Sequence, residues 1–126
     1  LEGEALDGAP WVYSARFAGE HATFEENVAL LLERLKGVPA PRRACFRTVI
    51  ALIDEYGTHF FEGAVNGEIT LERSGDHGFG YDPVFRPEGC QQTFAELSSE
   101  EKNAMSHRGR AVQRLARYLH ALPLDE

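Results

Sequence analysis

Cysteine is scarce in this chain of 126 residues, with only Cys45 and Cys90. Two are too few for the disulfide framework of a small secreted scaffold, and they show no metal-ligand spacing. Both read as free thiols of a reducing compartment, with plain core filling as the structural alternative. No apolar run approaches the ~18 residues of a membrane span. No basic-then-apolar leader opens the chain, so neither a membrane anchor nor a signal peptide is expected. Positive charge is in deficit: 13 Lys and Arg stand against 20 Asp and Glu, a net charge of −7. That balance argues against a wholesale duplex-DNA binder, which would show a basic surface, and no nucleic-acid partner is expected, but it leaves room for a small anionic ligand held by a few cations. Repeats, low-complexity tracts and charge blocks are absent. So are a P-loop, HExxH and GxSxG, and Gly75-x-x-Gly78-x-Gly80 lacks the Rossmann order. Methionine occurs once, as Met105, so the chain is expected to start after lost or removed residues.

What is present fits one domain over residues 1–126. The chain is 43% hydrophobic and 26% charged, and a chain of this size buries a core without staples. Leu1 to Gly19 reads as irregular, with short extended pieces. Thr23 to Gly37 is the clearest helix: Thr23 and Glu26 form a capping box, Val28, Leu31, Leu32 and Leu35 share a face, and Gly37 stops it. Phe46 to Ile53 is apolar and β-branched, the pattern of a central strand buried on both faces. Asp54-Glu55-Tyr56-Gly57 turns it into a second strand, Thr58 to Val65, a hairpin. Asn66-Gly67 is expected to break that strand before Ile69 to Leu71. Ser74 to Gly80 is a loop, and Tyr81 to Phe85 a short extended piece. Thr93 with Glu96, and Ser98 with Glu101, announce two short helices. Ser106 caps the last helix, with Val112, Leu115, Ala116 and Leu119 as its buried stripe and Pro123 as its stop. Strands mixed with helices in this order imply an α/β or α+β fold.

Two polar segments are hard to explain by folding alone. In Gly78-Phe79-Gly80-Tyr81-Asp82-Pro83, glycines on both sides of an aromatic let the backbone approach a flat ligand. Phe79 could stack on a base, worth about 1–3 kcal/mol, and Asp82 could accept from a ring or amino N–H. The structural alternative is a tight turn with Phe79 in the core and Asp82 satisfying loop amides. In Glu101-Lys102-Asn103-Ala104-Met105-Ser106-His107-Arg108-Gly109, three potential cations, Lys102, His107 and Arg108, flank a helix start. Free N–H groups and the helix dipole there would suit a phosphate or a keto oxygen. The alternative is a solvated basic turn, weakened because cations in a first turn oppose the dipole. His21, His59, His77 and His120 are scattered. Glu25 and Glu26 could ligate magnesium, although a helix first turn accounts for them better. Arg42 and Arg43 could meet a phosphate but read better as a solvated strand end.

These segments together resemble the inosine triphosphate pyrophosphatase family, which cleanses non-canonical purine nucleotides. The matching residues are Gly8-Ala9-Pro10, Val12-Tyr13-Ser14-Ala15-Arg16, Gly78 to Pro83, Ala95-Glu96-Leu97, Glu101-Lys102-Asn103 and Ser106-His107-Arg108-Gly109. They stand in the family order across nearly the whole chain. The resemblance implies an elongated α/β fold with a central mixed β-sheet flanked by helices, commonly a homodimer in the cytoplasm. It implies hydrolysis of ITP, dITP or XTP to the monophosphate and pyrophosphate, with Mg2+ as cofactor. By motif match, Phe79, Gly80, Tyr81 and Asp82 would hold the base, and Lys102, His107 and Arg108 would bind the base and neighbouring nucleotide atoms.

Some positions depart from the family pattern. Trp11 stands where glycine is usual, and Arg73-Ser74 replaces a usual Pro-Arg. The family's glycine-asparagine-lysine phosphate loop, its upstream metal-binding glutamate and its Asp-Asp-Ser-Gly segment have no counterpart in this sequence. The expectation is therefore a C-terminal portion of a nucleotide pyrophosphatase, with no catalytic and no metal-binding residue of its own. The rival expectations are a silent fragment that binds purine nucleotides or only dimerises, a purely structural module, and a pyrophosphatase with loose base choice.

Overall fold

The computed structural model describes residues 1–122. Pro123, expected to end the last helix, lies outside them, as do the side chains of Trp11 and Val12. The elements are β1 (Glu2–Gly3), α1 (Phe24–Arg34), β2 (Arg43–Asp54), β3 (Gly57–Ile69), β4 (Phe85–Pro87), α2 (Ser99–Met105) and α3 (His107–Ala121). Short 3-10 turns cover Glu4–Leu6, Trp11–Arg16 and Asp82–Val84. The opening segment thus has the expected short extended piece, β1, and adds helical turns that were not expected, while Tyr81 to Phe85 begins as a turn. The expected sheet flanked by helices is present, in the order β1-β2-β3-β4. Its pairings among the described residues are all antiparallel.

The hairpin β2–β3 is the backbone of the molecule. It pairs continuously from Arg43 with Glu68 to Asp54 with Gly57. Asn66-Gly67 does not break it. Those residues pair with Cys45 and Ala44 on one side, and Gly67 pairs with Pro87 on the other. Two neighbouring strands override the local turn signal. Gly67 serves there as a residue without a side chain, because a Cβ would strike the Arg86 carbonyl oxygen and the Phe85 ring.

Strand β2 is not buried on both faces. Val49 is 55% and Ile53 79% exposed, and Phe60 on β3 is 69% exposed. Their alternate neighbours point the other way, toward α3. The unbroken apolar run therefore marks a strand with one open apolar face in this chain.

The core lies at the β1–β4 end of the hairpin. Val28, Leu31 and Leu35 of α1 meet Phe46, Val65, Ile69, Val84, Phe85 and Phe94. The α1 capping box forms as expected, with Thr23 and Glu26 each accepting the other's backbone N–H. Buried polar groups fix its position. Asn27, 1% exposed, donates to the Ala15 carbonyl and accepts from the Ala18 N–H. Arg42, read from sequence as a solvated strand end, is buried instead. Its guanidinium donates to the carbonyls of Ile69, Leu35 and Thr70, tying the end of α1 to the end of β3.

Helix α3 crosses the hairpin through Ala111, which is fully buried, while Val112 is 53% and Leu119 50% exposed. The stripe expected from sequence is rotated by one position because contact is made by backbone. A Cβ on Gly63 of β3 would overlap the His107 carbonyl oxygen and the Ala111 amide. The far end of α3 is held by Tyr118, whose hydroxyl donates to Asp54 at 2.8 Å and lies 2.9 Å from His59 Nε2.

Two substitutions test this arrangement. Gly63→Ala should lift α3 off the sheet and lower stability by about 1–3 kcal/mol, the range for overpacked sites. Arg42→Met should remove the three hydrogen bonds that tie the end of α1 to the end of β3 and cost about 2–4 kcal/mol. Urea unfolding midpoints followed by circular dichroism read both.

Candidate functional site

The site is assembled by the loop between β3 and the 3-10 turn, by α2 and by the first turn of α3. The loop is pinned at several points. Arg73 donates to the Glu25 carbonyl at 2.7 Å. The Ser74 amide donates to Pro83 O at 2.9 Å and the His77 amide to Ala95 O at 3.0 Å. Thr93, expected to cap a short helix, gives its hydroxyl to the Ser74 carbonyl at 2.6 Å. Its box with Glu96 forms a turn and no helix follows. Ser98 does cap a helix, α2, and Ser106 caps α3 through the Gly109 amide.

Asp82 is the hub. Its carboxylate is buried, and Oδ2 accepts the Phe79 N–H at 3.0 Å and the Lys102 ammonium at 2.5 Å. This matches the structural alternative weighed for Asp82, satisfaction of a loop amide, with an ion pair added. Gly78 sits at φ +75°, and a Cβ there would strike Asp82 Oδ2. Glycine is thus needed both for its left-handed backbone and for room.

Phe79 is not in the core, being 54% exposed. Lys102 Nζ lies 4.5 Å and the Arg108 guanidinium carbon 5.6 Å from its ring centre, both within cation–π range. A cavity of about 240 Å³ opens beside it, lined by His77, Phe79, Phe94, Leu97, Lys102 and Asn103. Gly80 lies in the same loop. Tyr81 turns inward: its ring is buried, its hydroxyl donates to the Ser14 carbonyl at 2.5 Å, and burial pushes its pKa up.

His107 stacks on Phe46 at 5.1 Å with 12° between the planes. Its pKa is lowered to about 4, chiefly by burial and then by Arg108. His107 is therefore neutral near pH 7, and the three potential cations reduce to two, Lys102 and Arg108. Its Nδ1 is buried without a hydrogen-bond partner.

The structure thus brings Phe79, Asp82, Lys102, His107 and Arg108 together, with Gly80 beside them and Tyr81 beneath. A larger cavity, about 710 Å³, lies elsewhere, at the β1–β4 end near Arg43, Cys45, Arg86 and Cys90. None of the expected site residues lines it, and Arg86 is already paired with Glu68. Glu26 is spent in its capping box. Among the described residues no three His, Cys, Asp or Glu side chains gather as a metal would need.

Sequence reasoning missed Phe24, whose ring centre is 6.3 Å from that of Phe79, and Phe46 beneath His107. A phenylalanine directly after an N-cap and before Glu25-Glu26 was the available signal for the first.

Comparison with known proteins follows the same residues. Residues 1–118 match the family model described as the Ham1 family. The dITP/XTP pyrophosphatase of Porphyromonas gingivalis is 59% identical over 119 residues, covering 94% of this chain and 61% of that protein. The dITP/XTP pyrophosphatase of Caldanaerobacter subterraneus is 52% identical over 117 residues, covering 92% and 58%. Among solved structures, a HAM1 protein from Coxiella burnetii superposes with a TM-score of 0.89 at 41% identity, covering 96% of this chain and 64% of its own. The Staphylococcus aureus Ham1 protein gives 0.89 at 42% identity, covering 94% and 62%. The chain therefore spans less than two thirds of the length of these relatives. Matched over nearly its whole length by family model, sequence and fold, the chain belongs to the Ham1 family, as its resemblance to the inosine triphosphate pyrophosphatases implied.

Proposed function

We propose that this chain carries the base-recognition part of a hydrolase that cleaves ITP, dITP or XTP to the monophosphate and pyrophosphate, cleansing the nucleotide pool. The observation that carries the reading is the half-exposed Phe79 ring with Lys102 and Arg108 against it, all three set by Asp82 or by the start of α3. The names of the similar proteins, dITP/XTP pyrophosphatases, support the same substrate class.

The chemistry of discrimination follows from the donors. Hypoxanthine and xanthine present a keto oxygen at position 6 and an N–H at position 1. Adenine presents an amino group and a bare nitrogen. Lys102 spends one of its three donors on Asp82, and Arg108 brings five. Aimed at a keto oxygen they are satisfied; against adenine they are left unpaired. A site built to hydrogen-bond a group rejects its absence by about 10⁴-fold. Phe79 supplies the stacking face, Gly80 keeps the loop open, and Tyr81 and Asp82 hold that loop from beneath. His107, neutral, contributes a hydrogen-bonding imidazole without charge. Guanine shares the keto pattern, so its exclusion falls to a pocket edge that leaves the 2-amino group unsolvated.

Cleavage at the α-phosphorus calls for neutralisation of phosphate charge, and Mg2+ dependence is part of the proposal. The described residues of this chain do not gather a donor set for such an ion, so the role proposed for them is recognition. A homodimer is proposed as well, supported by the open apolar face of Val49, Ile53 and Phe60. A cytoplasmic setting is supported by the two free thiols. No helix among the described residues is long and apolar enough to cross a membrane.

The test is ligand binding together with turnover on this chain. IMP at 100 times its dissociation constant should raise stability by about 2.7 kcal/mol, and AMP should not. Arg108→Met should cut the IMP preference by about tenfold or more. Magnesium-dependent pyrophosphate release is assayed beside it with dITP, dGTP and dATP. Selective release from dITP would place the whole reaction in these residues and return Glu25 and Glu26 to consideration as metal ligands. Selective binding without release confines the chain to recognition. A flat profile across bases, or no binding, overturns the proposal.

His107 makes a pH prediction. Its folded pKa of about 4 lies below the ordinary 6.5. Between those values the unfolded chain binds more protons, so stability rises with pH there. The contribution is complete above pH 6.5 and lost as pH falls toward 4. His107→Phe, which retains a ring to stack on Phe46, should flatten that part of the profile of urea midpoint against pH.

A further inference from the structure

Phe24 is an exposed aromatic with a fixed relation to the site. It continues the buried stripe Val28–Leu31–Leu35 of α1 by one turn, but there the core has ended and the ring is 54% exposed. Its neighbour is the Phe79 ring, also 54% exposed, with the planes inclined by 40°. The two are not brought together by side-chain contact alone. Arg73, at the root of the loop, donates to the carbonyl of Glu25, the residue after Phe24. The loop that presents Phe79 is thereby tied to the first turn of α1. The result is two adjacent, inclined phenyl rings, with Lys102 and Arg108 against one of them.

A purine is bicyclic, and one phenyl ring covers only part of it. We infer that Phe24 is a second aromatic contact for the nucleobase, lying beside Phe79 and inclined to it by 40°, so that when the base stacks on Phe79 its far ring meets Phe24 obliquely. This inference rests on the reading of the site as a purine site. It makes Phe24 a binding residue that acts by contact with the base, and a flat side chain is what the position requires.

The probe is IMP, titrated into the unmodified chain and into Phe24→Ala, Phe24→Leu, Phe24→Trp and Phe79→Ala, with circular dichroism to verify folding. Loss of the ring in Phe24→Ala or Phe24→Leu should weaken IMP about tenfold, the lower part of the range for base–aromatic stacking. Phe24→Trp should bind as well as the unmodified chain. Its new indole should be quenched saturably by IMP, beyond any change shown by Trp11 in the unmodified chain. Rescue by leucine, or no added quenching while Phe79→Ala still loses IMP, overturns the role of Phe24 and leaves the purine site standing. If the unmodified chain does not bind IMP, or Phe79→Ala binds it unchanged, the purine site falls and this inference with it.

Discussion

One buried carboxylate organises the site. Asp82 sits where water is excluded, and an ionised carboxylate there is tolerable only with charge and hydrogen bonds around it. It takes the ammonium of Lys102 from α2 and the amide of Phe79 from the loop. Each partner is set by the other's need. Lys102 is drawn down toward the Phe79 ring because its counter-ion lies beneath that ring. Phe79 stays outside because its own backbone is bonded to the carboxylate, and Gly78 must lack a side chain for the carboxylate to reach that far. Removing the carboxylate would free a half-buried cation and a loop amide in one step. The aromatic surface and its cation are therefore consequences of a single polar contact.

A second constraint acts from the other side. Helix α3 begins at His107, and its first turns lie on backbone where β3 offers no side chain at Gly63. That close approach sets the depth of His107, stacks it on Phe46 and removes its charge. Arg108, the next residue, is left pointing outward as an exposed cation. One half-buried neutral ring followed by one exposed guanidinium is what a helix start seated this way produces. The oddity of cations opposing a helix dipole is thereby reduced, because His107 adds no charge near neutral pH.

The parts of this arrangement legible in the sequence are those encoded locally. The capping boxes at Thr23 and Ser98, the Ser106 cap, the hairpin turn at Asp54–Gly57 and the glycine loop depend on residues within a few positions of one another, and all form. The misreadings have a common cause in partners distant along the chain. Asn66-Gly67 carries a turn signal but is flanked by strands on both sides. Thr93 carries a capping signal, yet its hydroxyl goes to Ser74. Arg42 looks like a surface cation and is instead consumed by three carbonyls. The stripe of α3 was displaced because periodicity counts large apolar side chains, whereas the contact is made by Ala111 against a glycine. The motif residues were identified by resemblance. Their division into those that face outward and those that brace them from beneath required the fold.

Under the proposed function, that division bears on how base selectivity would arise. A fixed donor penalises an amino purine more than a mobile one does, because a mobile cation can turn to water when the acceptor is missing, while either kind gains from a keto oxygen. Lys102 is fixed by an ion pair with a buried partner, so its remaining donors have a restricted direction. Arg108 is held at its root by the α3 seat, while its guanidinium is free to lie along Phe79. The lysine is thus suited to penalise a wrong base and the arginine to strengthen contact with a right one. The bracing residues count in that reading too: Tyr81 is turned inward beneath the loop, Gly78 makes room for the Asp82 carboxylate and Gly63 for the start of α3, and each helps to set where the two cations stand.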